Sequence, residues 1–300
     1  MRFYKYEALG NDYVVIDAES RALLTPALVR RICDRHYGLG ADGILVGEAG
    51  ASAGAFALWI WNPDGSPAEK SGNGIRIYAR YLWDHGRIYR SALGGDEAFT
   101  VTTPGGPVRC QVLDAGRQVY VEMGQASFDS AAIPVLGPRR EVVDEPLVVG
   151  DQMLRVTAVT LGNPHCVIYV DEPTPELAQR LGPLIERHAF FPRRTNVQFV
   201  QVIGRDRIRI EIWERGAGYT LASGSSACAA AAASVRLGLC QGDVKVMMPG
   251  GTLDIGVGTD WSLTMLGPVR QVAEGEIAGE LIADSAPTPS PAPSGCGERN

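Results

Sequence analysis

The sequence predicts an α+β fold built from two related halves with antiparallel sheets. Three observations carry this reading. The chain matches itself at one fixed offset. Short alternating apolar segments recur between Gly/Pro turns. Each half places Ser-Gly at the head of a helical segment.

The offset comes first. Leu9-Gly10-Asn11 opens LGNDYVVID, and Leu161-Gly162-Asn163 opens LGNPHCVIYVD, 152 positions later. Both run into β-branched apolar residues ending in Asp, as a short strand does. Trp61-Asn62 and Trp213-Glu214 are also 152 apart, following FALWIW and IRIEIW. Ser71-Gly72 and Ser223-Gly224 repeat the same spacing. Three landmarks on one offset indicate a duplication.

After SGNG comes IRIYARYLWDHG, with apolar residues at helical spacing and a terminating Gly. After SGSS comes ACAAAAASVRLG, rich in the strongest helix former and again ending in Gly. The second helix is nearly featureless and apolar, which predicts burial. AFTVTTPGGPVRCQVL, QVYVEM, VKVMMPGGTLDIGV and WSLTMLGPV supply the short strands and turns. The Pro/Ser-rich tail, residues 286–300, cannot build a core and reads as disordered.

Composition bounds the function. The 300 residues are 45% hydrophobic and 21% charged, the balance of a soluble globular protein, and the net charge is -6. No basic run marks a nucleic-acid face, and no apolar stretch is long enough for a membrane span. The charged, aromatic start MRFYKYEALGNDY lacks the apolar core of a signal peptide, so a cytoplasmic location is the default. The six cysteines (Cys33, Cys110, Cys166, Cys228, Cys240 and Cys296) form no C-x-x-C pair and read as buried free thiols. No Walker loop, dinucleotide fingerprint or spaced metal-ligand cluster is present, so no cofactor and no metal are expected.

A helix N-terminus presents unpaired N–H groups and a positive dipole end, a natural seat for a carboxylate. Two related halves can place two such termini across one cleft. That geometry suits inversion at an amino-acid Cα. One face loses a proton, the other gains one, and the charge spreads into the held carboxylate. The structural alternative is that each serine only caps its helix.

These motifs resemble those of the diaminopimelate epimerase family, from KYEALGNDYVVID near the start to GPVRQVAEGEI before the tail. That family's two catalytic cysteines head these helices, in segments similar to NADGS…CGNG and ERGAGET…CGTGACA. Here the segments read NPDGSPAEKSGNG (62–74) and ERGAGYTLASGSSACA (214–229). The resemblance implies two pseudo-symmetric domains, each a curved, mostly antiparallel sheet around a central helix, with the active-site cleft between them. It places residues 1–123 plus about 268–284 in one domain and 124–267 in the other. It puts Ser71 and Ser223 at the acid/base positions, with His165 and Glu214 where the family polarises its cysteines. Asn11, Asn62, Asn163, Asn196, Glu214 and Arg215 fall on substrate-binding positions. Gly72, Asn73, Gly224 and Ser225 offer backbone N–H groups to the reacting carboxylate. The activity implied is cofactor-independent epimerisation of LL- to meso-diaminopimelate by two-base proton transfer.

Serine stands at both cysteine positions, and neither Cys166 nor Cys228 replaces them. Lys70, Tyr219 and Ser226 also depart from the family pattern. A serine hydroxyl is a far weaker acid than a thiol and needs an adjacent base. The alternatives are therefore a serine-based epimerase acting on diaminopimelate or another amino acid, a non-catalytic amino-acid-binding protein, and a lyase in which one serine protonates a leaving group. The expected partner is a small amino-acid substrate. The sequence leaves a homodimer open.

Overall fold

The computed structural model describes residues 1–49, 55–88 and 97–283, so the tail read as disordered lies outside the described residues. The first half runs β1 (Arg2–Ala8), β2 (Asn11–Ile16), α1 (Pro26–Cys33), β3 (Ile44–Ala49), β4 (Ala55–Trp61), β5 (Pro67–Ala68), α2 (Gly72–Asp84), β6 (Phe99–Thr103), β7 (Gly106–Leu113) and β8 (Gln118–Gln125). The second runs β9 (Glu145–Val149), β10 (Gln152–Thr160), β11 (Pro164–Tyr169), α3 (Pro175–Glu186), β12 (Asn196–Gly204), β13 (Arg207–Glu214), β14 (Gly218–Thr220), α4 (Gly224–Arg236), β15 (Asp243–Met248), β16 (Gly251–Val257) and β17 (Ser262–Pro268). β18 (Arg270–Glu276) and α5 (Gly279–Ala283) follow.

The strand pairing repeats between the halves. β1 is antiparallel to β2, and β2 is parallel to β3. β3 is antiparallel to β4, which takes β5 antiparallel and β6 parallel. β6, β7 and β8 then follow antiparallel. Strands β10 to β17 reproduce that order and those directions. At the outer edges β18 lies antiparallel on β1, and β9 lies antiparallel on β10. The expected α+β duplication is the architecture observed, and α2 begins and ends 152 positions before α4.

The halves join where β8 pairs antiparallel with its own counterpart β17, with Val121 opposite Met265. One hydrogen-bonded sheet therefore runs through both halves. α2 packs on β1, β2, β3, β7 and β8, and α4 on β10 to β13 and β15 to β17. Each helix is thus central to its half, as the resemblance implied.

Local sequence explains the elements. AFALWIW buries every second residue, the period-2 signature of a strand with one face on the core. In α4 Ser226 to Ser234 are all buried, and alanine lets strands approach on every side. Ile75 and Ile77 of α2 are fully buried, each worth roughly 1.5–3 kcal/mol. Thr-Pro opens both α1 and α3, Thr25 and Thr174 capping at 3.2 Å.

A second seam joins the halves near the helix heads. Leu9 takes a positive φ of 59° in the tight β1–β2 turn, beside Gly10 at 83°. The Leu9 carbonyl lies so close to Gly250 that an added Cβ would stand 2.1 Å from its oxygen. Both parties are backbone, so neither can rotate away. Gly250→Ala is expected to cost about 1–3 kcal/mol and lower the urea midpoint. Gly279→Ala, whose added Cβ meets nothing within 4 Å, is the control and should change stability by less than about 0.5 kcal/mol. Equal midpoints for the two variants would refute the close contact.

Candidate functional site

Both Ser-Gly pairs stand where a strand-and-turn segment enters a helix. Ser71 and Ser223 have extended backbone (φ −140° and −146°) and cap α2 and α4. Ser71 Oγ accepts from Gly74 N at 3.0 Å, and Ser223 Oγ accepts from Ser226 N at 3.4 Å. The capping role is therefore real for both serines. Capping alone does not explain why the two helix heads meet. A Cβ added to Gly72 would stand 3.5 Å from Gly224 Cα, and the reverse distance is also 3.5 Å. At Gly224 it would also press Met265 Sδ at 2.9 Å. Glycine at both positions lets two N-termini face each other. The N–H groups of Gly72, Asn73, Gly224 and Ser225 have no partner within their own helices.

Asn73 ties the heads together. Its amide donates to Asn11 Oδ1 at 3.1 Å and, across the halves, to the Ala222 carbonyl at 3.3 Å. Arg76 Nη2 donates to Asn73 Oδ1 at 2.9 Å, and Asn11 Nδ2 donates to Asp42 at 2.8 Å. Arg76 is fully buried, and burial pulls its guanidinium down to about 10, so it stays charged at neutral pH. Asn62 is engaged locally, its amide donating to Ser66 Oγ at 3.0 Å.

On the other side, the half-buried Glu214 lies near Ser223; burial raises its carboxyl, and the Ser223 hydroxyl opposes that rise. Ser225 Oγ lies 3.5 Å from Ser223 Oγ and accepts from Asn163 Nδ2 at 3.4 Å. His165 is fully buried beside them. Its Nε2 donates to Asn163 Oδ1 at 3.1 Å, and its Nδ1 accepts from Gln198 Nε2 at 3.1 Å. Gln198 Nε2 also reaches Ser226 Oγ at 3.0 Å. This network fits a neutral imidazole. Burial, with the Arg215 charge adding to it, pulls His165 down to about 3. Asn196 donates to the Pro164 carbonyl and accepts from Arg215 N, both at 2.9 Å. The Arg215 side chain is exposed and donates to the Arg193 carbonyl at 3.2 Å.

The hydroxyl beside Ser71 belongs to Tyr13, Oη to Oγ 3.2 Å, while both His165 nitrogens are occupied within their own half. Sequence reasoning missed Tyr13, Gln198, Asp42 and Arg76. A signal for Tyr13 existed, because the offset of 152 carries Tyr13 onto His165 just as it carries Asn62 onto Glu214. Five cysteines are described, all free and buried. Burial pushes the Cys228 thiol up to about 12, so it stays protonated at neutral pH. Among the described residues no group of His, Cys, Asp and Glu could hold a metal. No described helix is long and apolar enough to cross a membrane.

Comparison with known proteins gives the family and the fold. The family model for diaminopimelate epimerase matches residues 3–129 and 157–272. Diaminopimelate epimerase 2 of Nostoc sp. strain PCC 7120 is 49% identical over 94% of this chain and 98% of its own. The diaminopimelate epimerase of Moorella thermoacetica is 39% identical over 92% and 99%. A solved hydroxyproline epimerase from Agrobacterium vitis, with bound trans-4-hydroxy-L-proline, superposes with a TM-score of 0.68. It covers 92% of this chain and 91% of its own at 15% identity, which is a likeness of fold.

The buried histidine makes stability depend on pH. The unfolded chain protonates His165 below about 6.5, whereas the folded chain resists until about 3. The unfolded state therefore binds more protons in that window, and stability falls as pH drops through it. The contribution lost between pH 7 and pH 5 should be about 2 kcal/mol. Urea midpoints of wild type and His165→Gln at both pH values test this. The variant should show the shallower decline, and identical declines would refute it.

Proposed function

The chain belongs to the diaminopimelate epimerase family, and we propose that it is an isomerase epimerising an amino acid at Cα, with LL- to meso-diaminopimelate as the reaction. The observation that carries the reading is the meeting of two capped helix heads at Gly72 and Gly224, with one serine on each. A carboxylate seated between them receives N–H groups and two positive dipole ends. The same donors hold the charge that spreads into that carboxylate once Cα loses its proton. In this reading Ser223, with Glu214 beside it, serves one face of Cα, and Ser71, with Tyr13 beside it, serves the other.

Glu214 gives Ser223 the adjacent base that a hydroxyl requires. Arg215 is an exposed planar fork suited to the distal carboxylate of a substrate with two amino-acid ends. Asn196 holds the Arg215 backbone and so positions that fork. The reading needs no cofactor, and it places the enzyme among soluble cytoplasmic biosynthetic proteins. The second reading, an amino-acid-binding protein, is favoured by one fact: both serines are already in use as caps.

LL-diaminopimelate incubated with the protein in D2O should lose its α-proton signal while the meso isomer grows. An α-proton that persists despite demonstrable binding would replace the epimerase with the binding protein. In titration, Arg215→Ala should weaken ligand binding by about 2 kcal/mol, roughly 30-fold. Ser223→Ala should weaken it far less. Equal or reversed losses would refute the distal-carboxylate role.

A further inference from the structure

The two serines differ in what stands behind them, and the difference has a chemical sense. Ser223 has a carboxylate, Glu214. Among the described residues Ser71 has Gly74 N, which only donates, and one side-chain partner, the Tyr13 hydroxyl at 3.2 Å. The duplication sharpens the contrast. The position equivalent to Glu214 is Asn62, an amide engaged with Ser66, and the position equivalent to Tyr13 is His165, engaged with Asn163 and Gln198. A base therefore backs one face and a neutral acid the other.

Resting on the epimerase reading, we propose that Tyr13 is the proton donor behind Ser71, and that Glu214 is the proton acceptor behind Ser223. The site is built to hold the phenol. Tyr13 is only 7% exposed, and Gly43 makes room for its ring, since an added Cβ there would stand 2.6 Å from Tyr13 Cε1. The groups acting on the phenol are Ser71, Glu214, Asp42 and Cys33. Burial pushes it up to about 12, opposed by the Ser71 hydrogen bond and reinforced by Glu214 and Asp42, so it remains protonated at neutral pH.

The step balances. The Cα–H bond facing Ser223 breaks, its proton moves to Ser223 Oγ, and the serine's own hydroxyl proton passes to Glu214. The electron pair stays on Cα and its carboxylate. On the opposite face the Ser71 hydroxyl proton forms the new Cα–H bond, and the Tyr13 phenol proton replaces it on Ser71 Oγ. Glu214 then carries a proton and Tyr13 a negative charge, and exchange with solvent restores both. Neither serine need persist as a free alkoxide.

Tyr13→Phe keeps the ring and removes only the hydroxyl. Each stereoisomer is incubated separately with the whole protein in D2O, and α-deuteration and inversion are followed by NMR beside ligand affinity and Tm. Inversion should fall about 100-fold. The isomer whose Cα–H faces Ser223 should still take up deuterium with retention, and the other isomer should not exchange. Glu214→Gln should lose exchange on the Ser223 face. Unchanged inversion in Tyr13→Phe, or equal loss of exchange from both isomers, would overturn the assignment. A wild type that neither inverts nor exchanges would instead fail the epimerase reading. If Tyr13→Phe does not fold, site-specific 3-fluorotyrosine at position 13 decides. Its more acidic phenol should move the alkaline fall in inversion to lower pH, and an unmoved profile would overturn the proposal.

Discussion

Two helix heads of like polarity meet at Gly72 and Gly224, and much of the site follows from that contact. Each N-terminus carries roughly half a positive charge, and opposing them is unfavourable until an anion enters between. The fully buried Arg76 deepens the imbalance. Its Nη2 donates to neutral Asn73 Oδ1 and its Nη1 contacts Met265 Sδ, so no carboxylate of the described chain neutralises it by contact. A buried cation without a counter-ion is costly. Where Gly72 and Gly224 meet, the described core is thus left with an excess of positive charge that an anion would relieve.

That contact goes with the duplication. β8 pairs with its own counterpart β17, so the halves meet along equivalent strands. Met265 of β17 lies beneath both helix heads, near Gly72 and Gly224. The Asn73–Ala222 bond and the Leu9–Gly250 contact lock the halves close to the serines.

Much of this was legible in the sequence because the strongest signals were identities at one offset. Gly-Asn, Trp-polar and Ser-Gly located the strands before the helices, both helices and both serines. The offset failed after the helices. β7 starts at Gly106 and β16 at Gly251, 145 apart, because α2 is followed by a longer connection than α4. The parallel pairs β2–β3 and β4–β6 were also invisible, since alternation does not encode direction. Arg76 is a charged residue among apolar ones at helical spacing, and nothing in that pattern marks it as buried. In the fold, α2 is ringed by strands and the head of α4, and no solvent face exists at that position. Tyr13 was missed because self-comparison rewards sameness, whereas the informative positions are those where the halves differ.

Those differences are what the replacement of thiol by hydroxyl demands. A thiol near its own pKa gives and takes a proton far more readily than a hydroxyl, which depends more heavily on an adjacent acid or base. Symmetric duplication alone would supply the same group twice. The halves here have diverged to a carboxylate behind Ser223 and a phenol behind Ser71, while the imidazole at the position equivalent to Tyr13 is held neutral and faces Asn163 and Gln198. The burial that keeps Tyr13 protonated also raises Glu214 as an acceptor. Under the proposed reading, the dryness of one seam therefore raises the proton affinities of two unlike groups toward that of a carbon acid.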